Sequence, residues 1–131
     1  MAPLPFILAA FAAVIPFLPA NDIAPPPGAE RLPSSTIALT TSTEGAGVRS
    51  VNLLCEPSGG SHPKAQAACD ELLRSDGDVQ AVQDSDAICT FEYRPVHVTA
   101  VGSWRGERRS FDHVYANACA MRVDTGSVFQ F

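Results

Sequence analysis

The chain has 131 residues, 46% of them hydrophobic and 18% charged, and a net charge of −5. That charge argues against a nucleic-acid partner, because a phosphate backbone is met by a positive surface, and the apolar fraction argues against a disordered chain. The length supports one compact domain with a leader or tail rather than a multidomain enzyme.

Residues 4–18, LPFILAAFAAVIPFL, form an apolar run of signal-peptide length, slightly short for a membrane span. All 23 charged residues lie at or beyond Asp22, and seven of the eleven prolines fall in the first 27 residues. The expectation is a signal peptide over 1–20, cleaved between Ala20 and Ala29, then a flexible Pro-rich arm over 21–34. A retained membrane anchor is the competing reading. The globular domain is expected over 35–131.

Two β-prone runs, 36–41 and 48–55, flank TEGAG, a hairpin-compatible stretch with two glycines. EPSGGSHP then breaks regular structure. Ala65, Ala68, Cys69, Leu72 and Leu73 share one face at helical spacing, which predicts a helix with Ser61 as its cap and Gly77 as its stop. Val96, Val98 and Ala100 alternate with polar neighbours, as do Phe111, His113 and Tyr115. SWRGERRS turns between them around Gly106, which predicts a second, longer hairpin. SVFQF at the end reads as a terminal strand. The sum is an antiparallel sheet with one main helix, an α+β domain.

Charge is segregated along the sequence. Residues 70–92 carry seven acids, Asp84 and Asp86 among them, against one base, Arg74, whereas 94–122 carry five arginines and two acids. A solvated face beside a hairpin tip accounts for this better than a contact patch at Arg105, Arg108 and Arg109.

The cysteines, at 55, 69, 89 and 119, are even in number behind an export signal, which reads as two disulfides with three formal pairings. Sequential pairing is the simplest, and the loop-entropy model gives it about 3 and 3.7 kcal/mol. A zinc site is disfavoured: no Cys-x-x-Cys exists, and His62, His97 and His113 lack ligand spacing. No catalytic constellation is visible. There is no Gly-x-Ser-x-Gly elbow, Gly45-x-Gly47 has Ser50 where a third glycine would stand, and the acids Asp76 and Asp78 sit in a turn where an EF-hand's last ligand position is Ala87. No enzyme, metal or cofactor is expected.

The segment CTFEYRPVHVTAVGSWRGERRSFDHVYANACAM, followed by SVFQF, resembles the Streptomyces subtilisin inhibitor family. VNLLCEPSGGSHPKAQAAC is similar to that family's first disulfide region. The resemblance covers roughly 35–131 and keeps the cysteine spacing, the Trp-x-Gly turn and the Asn-x-Cys-x-Met end. It implies a five-stranded antiparallel sheet with one main and one short helix, and the pairing Cys55–Cys69 and Cys89–Cys119. It also implies a secreted inhibitor of serine proteases, usually a homodimer, with no membrane role after leader removal.

In that family the scissile bond lies two residues after the third cysteine, which here is Phe91–Glu92. Ile88, Cys89, Thr90 and Tyr93 complete the implied protease-contact loop. An exposed Phe91 suits the apolar primary pocket of subtilisin-like and chymotrypsin-like enzymes, not the trypsin-like preference for Lys or Arg. Thr90 stands where the family commonly has proline, and Arg94 where an acid is common. The alternative reading is a secreted, disulfide-stapled binding module that inhibits no protease.

Overall fold

A computed structural model describes residues 31–81 and 88–131, together with positions 3, 12, 13 and 16. Apart from those four positions, the expected leader and the arm up to residue 30 lie outside the described residues, as do Asp84 and Asp86. Residues 31–131 form one compact unit.

The elements run β1 (Ser35–Thr43), β2 (Gly47–Cys55), β3 (Gly59–Gly60), α1 (Ala65–Arg74), a 3₁₀ turn (Val79–Ala81), β4 (Val96–Trp104), β5 (Glu107–Tyr115) and α2 (Ala118–Thr125). The strands make one sheet in the order β3-β2-β1-β4-β5, with every neighbour antiparallel. Both predicted hairpins form, each longer than its apolar run suggested. Arg105 and Gly106 turn the second one with φ of 47° and 85°, the positive pair that matches the twist of a two-residue hairpin.

Alternation divides the sheet into two faces. Ile37, Leu39, Leu53, Val98 and Trp104 point inward and are buried with Leu72 of α1 and Met121 of α2. Burying each large aliphatic side chain contributes about 1.5–3 kcal/mol. The opposite face carries Ala38, Thr40, Ser50, Thr99, Val101 and Val114, and no described element covers it.

Three local expectations are corrected. Ser61 does not cap α1: the N-cap residue is Lys64, without a side-chain bond. The Ser61 hydroxyl instead accepts from Asn52 N–H at 2.9 Å, tying β2 to the chain beyond β3, while His62 Nδ1 accepts from Lys64 N–H at 2.9 Å at the helix entry. Second, Gly59–Gly60, inside the stretch expected to be irregular, supplies the fifth strand by pairing with Leu53 and Leu54. Third, SVFQF is not a strand. Val128 N–H bonds Thr125 O and Gln130 N–H bonds Ser127 O, the spacing of successive turns. Val128 and Phe129 are both buried, unlike the alternation of a strand with one face in solvent. The Glu71 carboxylate fixes this turn by accepting from both the N–H and the hydroxyl of Ser127.

Helix α1 buries Ala68, Cys69 and Leu72 but leaves Leu73 39% exposed. It ends as the sequence indicates. Gly77 N–H bonds Leu72 O at 2.8 Å and Asp76 N–H bonds Leu73 O at 3.4 Å, the reciprocal pattern that satisfies a helix's last carbonyls.

Candidate functional site

Between the 3₁₀ turn and β4, residues 88–95 adopt no regular structure. Their large side chains point into solvent: Ile88 is 98% exposed, Phe91 103% and Tyr93 81%. Apolar rings held outside a folded domain lose the burial energy they would otherwise gain, so the surrounding chain must hold this segment in place.

Two covalent and polar anchors do so. Cys89 is disulfide-bonded to Cys119 of α2, with the Cα atoms 5.6 Å apart. At the far end Arg94 N–H donates to Ala116 O at 2.8 Å, and Pro95 leads into β4. Between these anchors stands Asn117, a buried residue at the start of α2. Its Nδ2 donates to Thr90 O at 3.2 Å and to Glu92 O at 2.8 Å, on either side of Phe91. Its Oδ1 accepts from Ala120 N–H at 2.8 Å and so caps the helix. Asn is a preferred cap because its side chain satisfies an otherwise orphaned N–H. One side chain therefore starts α2 and fixes the backbone of the loop.

The loop residues implied by the resemblance are thus brought together, with Ile88, Thr90, Phe91, Glu92 and Tyr93 exposed and Cys89 half-buried at the anchor. Asn117 enters the sequence reading only as the first residue of the Asn-x-Cys-x-Met end, with no role assigned to it. Its signal was present, since Asn ahead of the run ACAM is an N-cap pattern, but its bonds to the loop depend on tertiary placement.

Chemistry elsewhere is sparse. His97 and Asp112 form a 2.7 Å pair on the exposed sheet face. His62 is buried, with Nε2 2.8 Å from Val128 O. Among the described residues no group of three His, Cys, Asp or Glu is placed to hold a metal, and no helix is long and apolar enough to cross a membrane. At the opposite end of the sheet, hydrogen bonds from the Arg105 guanidinium and then the Ser34 hydroxyl hold the Glu56 carboxyl down at about 2. Burial, with the Asp124 charge adding to it, pushes the Tyr115 phenol up to about 12.

Residues 33–117, which take in the exposed loop and Asn117, match the family model described as subtilisin inhibitor-like. The chain belongs to the subtilisin inhibitor-like family. It is 45% identical over 100 residues to the protease inhibitor SIL-V1/SIL-V4 of Streptomyces netropsis, covering 73% of this chain and 91% of that one. It is 45% identical over 86 residues to subtilisin inhibitor-like protein 2 of Streptomyces rochei, covering 64% and 76%. Among solved structures, Streptomyces caespitosus sermetstatin in complex with Bacillus licheniformis subtilisin aligns with a TM-score of 0.59 at 31% identity, over 74% of this chain and 98% of that one. The family is one of protease inhibitors, not enzymes. The subtilisin inhibitor-like fold implied by the resemblance holds, with a five-stranded antiparallel sheet, two helices and the disulfides Cys55–Cys69 and Cys89–Cys119.

Proposed function

We propose that this subtilisin inhibitor-like protein is a secreted, substrate-like inhibitor of serine endopeptidases that offers Phe91–Glu92 as its reactive bond. The observation that carries the reading is the full exposure of Phe91 on a backbone whose flanking carbonyls are both held by Asn117.

The protease serine attacks the Phe91 carbonyl and breaks the bond to the Glu92 nitrogen. In an ordinary substrate the amine product departs. Here the Asn117 bond to Glu92 O, the Arg94–Ala116 bond and the Cys89–Cys119 disulfide keep that amine beside the acyl group. Religation then competes with hydrolysis, as proximity raises the effective concentration of a tethered nucleophile. Prior ordering of the loop also lowers the entropy cost of binding.

Phe91 selects apolar primary pockets, those of subtilisin-like and chymotrypsin-like enzymes, and Ile88, three residues upstream, fills a second one. The apolar run at 4–18 supports export through a leader over 1–20, with an arm over 21–34 ahead of the domain at 35–131. The uncovered sheet face, where Val101 and Val114 are 49% and 58% exposed, supports a homodimer formed face to face. A Val101→Arg variant sedimenting as a monomer, beside a dimeric parent, tests that part.

The functional test is inhibition titration of the oxidised domain against subtilisin, chymotrypsin and trypsin. Stoichiometric block of the first two with trypsin spared is expected. Block of none would leave the binding-module reading in its place.

A further inference from the structure

On the inner face of the sheet, at the end nearest the exposed loop, lies an open groove of about 510 Å³. Its floor is apolar, built from Met121, Phe129 and Phe131. Its rim carries three cations from three separate segments: Arg49 of β2, Lys64 ahead of α1 and Arg122 of α2. Among the described residues no acidic side chain lines it, and none of the three cations pairs with an acidic side chain. The chain holds 9 Lys and Arg against 14 Asp and Glu, so a third of its strong bases gather on a rim that no described acidic side chain shares, with Arg49 Nη1 donating to Phe131 O at 3.5 Å. Lys64 Nζ donates to Gln130 Oε1 at 2.7 Å, which holds it at the rim without neutralising it.

The groove is continuous with the support of the loop. Val96, in its wall, follows Pro95 directly, and Ala118, also in its wall, follows Asn117. A stable interface covers roughly 800 Å² on each partner, more than an eight-residue loop supplies, so a protease seated on Phe91 must rest on neighbouring surface as well.

We infer that this groove receives an acidic, apolar-tipped surface segment of the target protease, as a second contact beside the reactive loop. The inference rests on the proposed inhibitory function. The cationic rim draws the segment in and the Phe129 and Phe131 rings receive its apolar residue. Charges at an interface rim act chiefly on the association rate, and salt screens them.

The test is the association rate with subtilisin and with chymotrypsin, at low salt and at about 1 M NaCl, where the screening length is about 3 Å. The oxidised parent is compared with the triple variant Arg49→Glu, Lys64→Glu, Arg122→Glu, with folding checked by circular dichroism and melting. The triple variant is expected to associate about tenfold or more slowly at low salt, with the gap closing at high salt. Should charge reversal unfold the domain, the neutral set Arg49→Gln, Lys64→Gln, Arg122→Gln is expected to show a smaller slowing of the same salt dependence. A folded variant that matches the parent with both enzymes at both salt concentrations overturns the groove contact and leaves the reactive loop standing. A parent that blocks neither enzyme overturns both.

Discussion

The Asn117 side-chain amide donates to the carbonyl of Glu92 at 2.8 Å, directly beyond the bond to Phe91, while its oxygen caps helix α2 through Ala120. The same NH₂ group also reaches Thr90 O, so the two carbonyls flanking Phe91 hang from one buried side chain. Loop geometry and helix start are thereby coupled, and substitution can separate them.

Asn117→Asp keeps an oxygen for the Ala120 N–H but loses both donors to the loop. Its stability is expected to fall by about 1–3 kcal/mol, since Asp is as good a cap as Asn while two neutral hydrogen bonds of about 0.5–1.5 kcal/mol each are lost. The loop should nonetheless be hydrolysed several-fold faster by subtilisin, measured as the appearance of cut chain with time. Asn117→Ala should lose both functions and melt lower than Asn117→Asp. Equal hydrolysis of the Asp variant and the parent would remove Asn117 from the account.

Phe91 gains nothing from its own fold, so replacing it should leave stability nearly unchanged. Phe91→Gly is expected to weaken subtilisin inhibition by roughly ten- to a hundredfold, the equivalent of about 1.5–3 kcal/mol for a buried ring, with a melting temperature lowered only slightly by glycine's freedom in the unfolded chain. Phe91→Lys should transfer inhibition toward trypsin. A large drop in melting temperature would mean that the ring packs against the domain.

Gly77 faces the indole of Trp104 so closely that an added Cβ would lie 2.4 Å from the ring's Cγ, and its φ is +78°. Trp104 is 1% exposed, and its Nε1 donates to Asp76 Oδ1 at 3.3 Å, so the ring has nowhere to retreat. Gly77→Ala is expected to cost about 1–3 kcal/mol through overpacking, with backbone strain in addition. Urea unfolding checks this, and a shift of the midpoint by less than a tenth of the total would contradict it.

Acid should act through Glu56. Its carboxyl is held to about 2 against an ordinary 4.5 by the Arg105 guanidinium and the Ser34 hydroxyl. Between those values the unfolded chain binds a proton that the folded chain does not, so stability falls as pH falls through this window and is fully present above it. Melting of the parent and of Glu56→Gln, compared from pH 6 to pH 2, should show a gap that narrows below pH 4.5. A constant gap would mean that the carboxylate is not ionised selectively in the folded state.

The legible parts of the fold were those set by local pattern. Alternation marked both hairpins, the spacing of Ala68, Cys69 and Leu72 marked α1, and Gly77 marked its end. The misread parts answer to distant partners. Gly59–Gly60 becomes a strand only because Leu53 and Leu54 present an edge to it. SVFQF carries strand-like residues but folds into turns because Glu71, 56 positions away, holds Ser127. For the site, the family resemblance placed Phe91 on the protease-contact loop, and it stands 103% exposed there. The Asn117 clamp was not legible, because nothing local says that an N-cap residue has a second use 25 positions upstream.

The most direct test of the reactive-bond assignment is to map the bond cut when the oxidised inhibitor is incubated for a long time with a trace of subtilisin. A single new amino terminus at Glu92 is expected. The two pieces should run as one species until reduced, because Cys89 and Cys119 lie on opposite sides of the cut and are joined. A first cut at any other bond, with Phe91–Glu92 intact, would contradict the assignment.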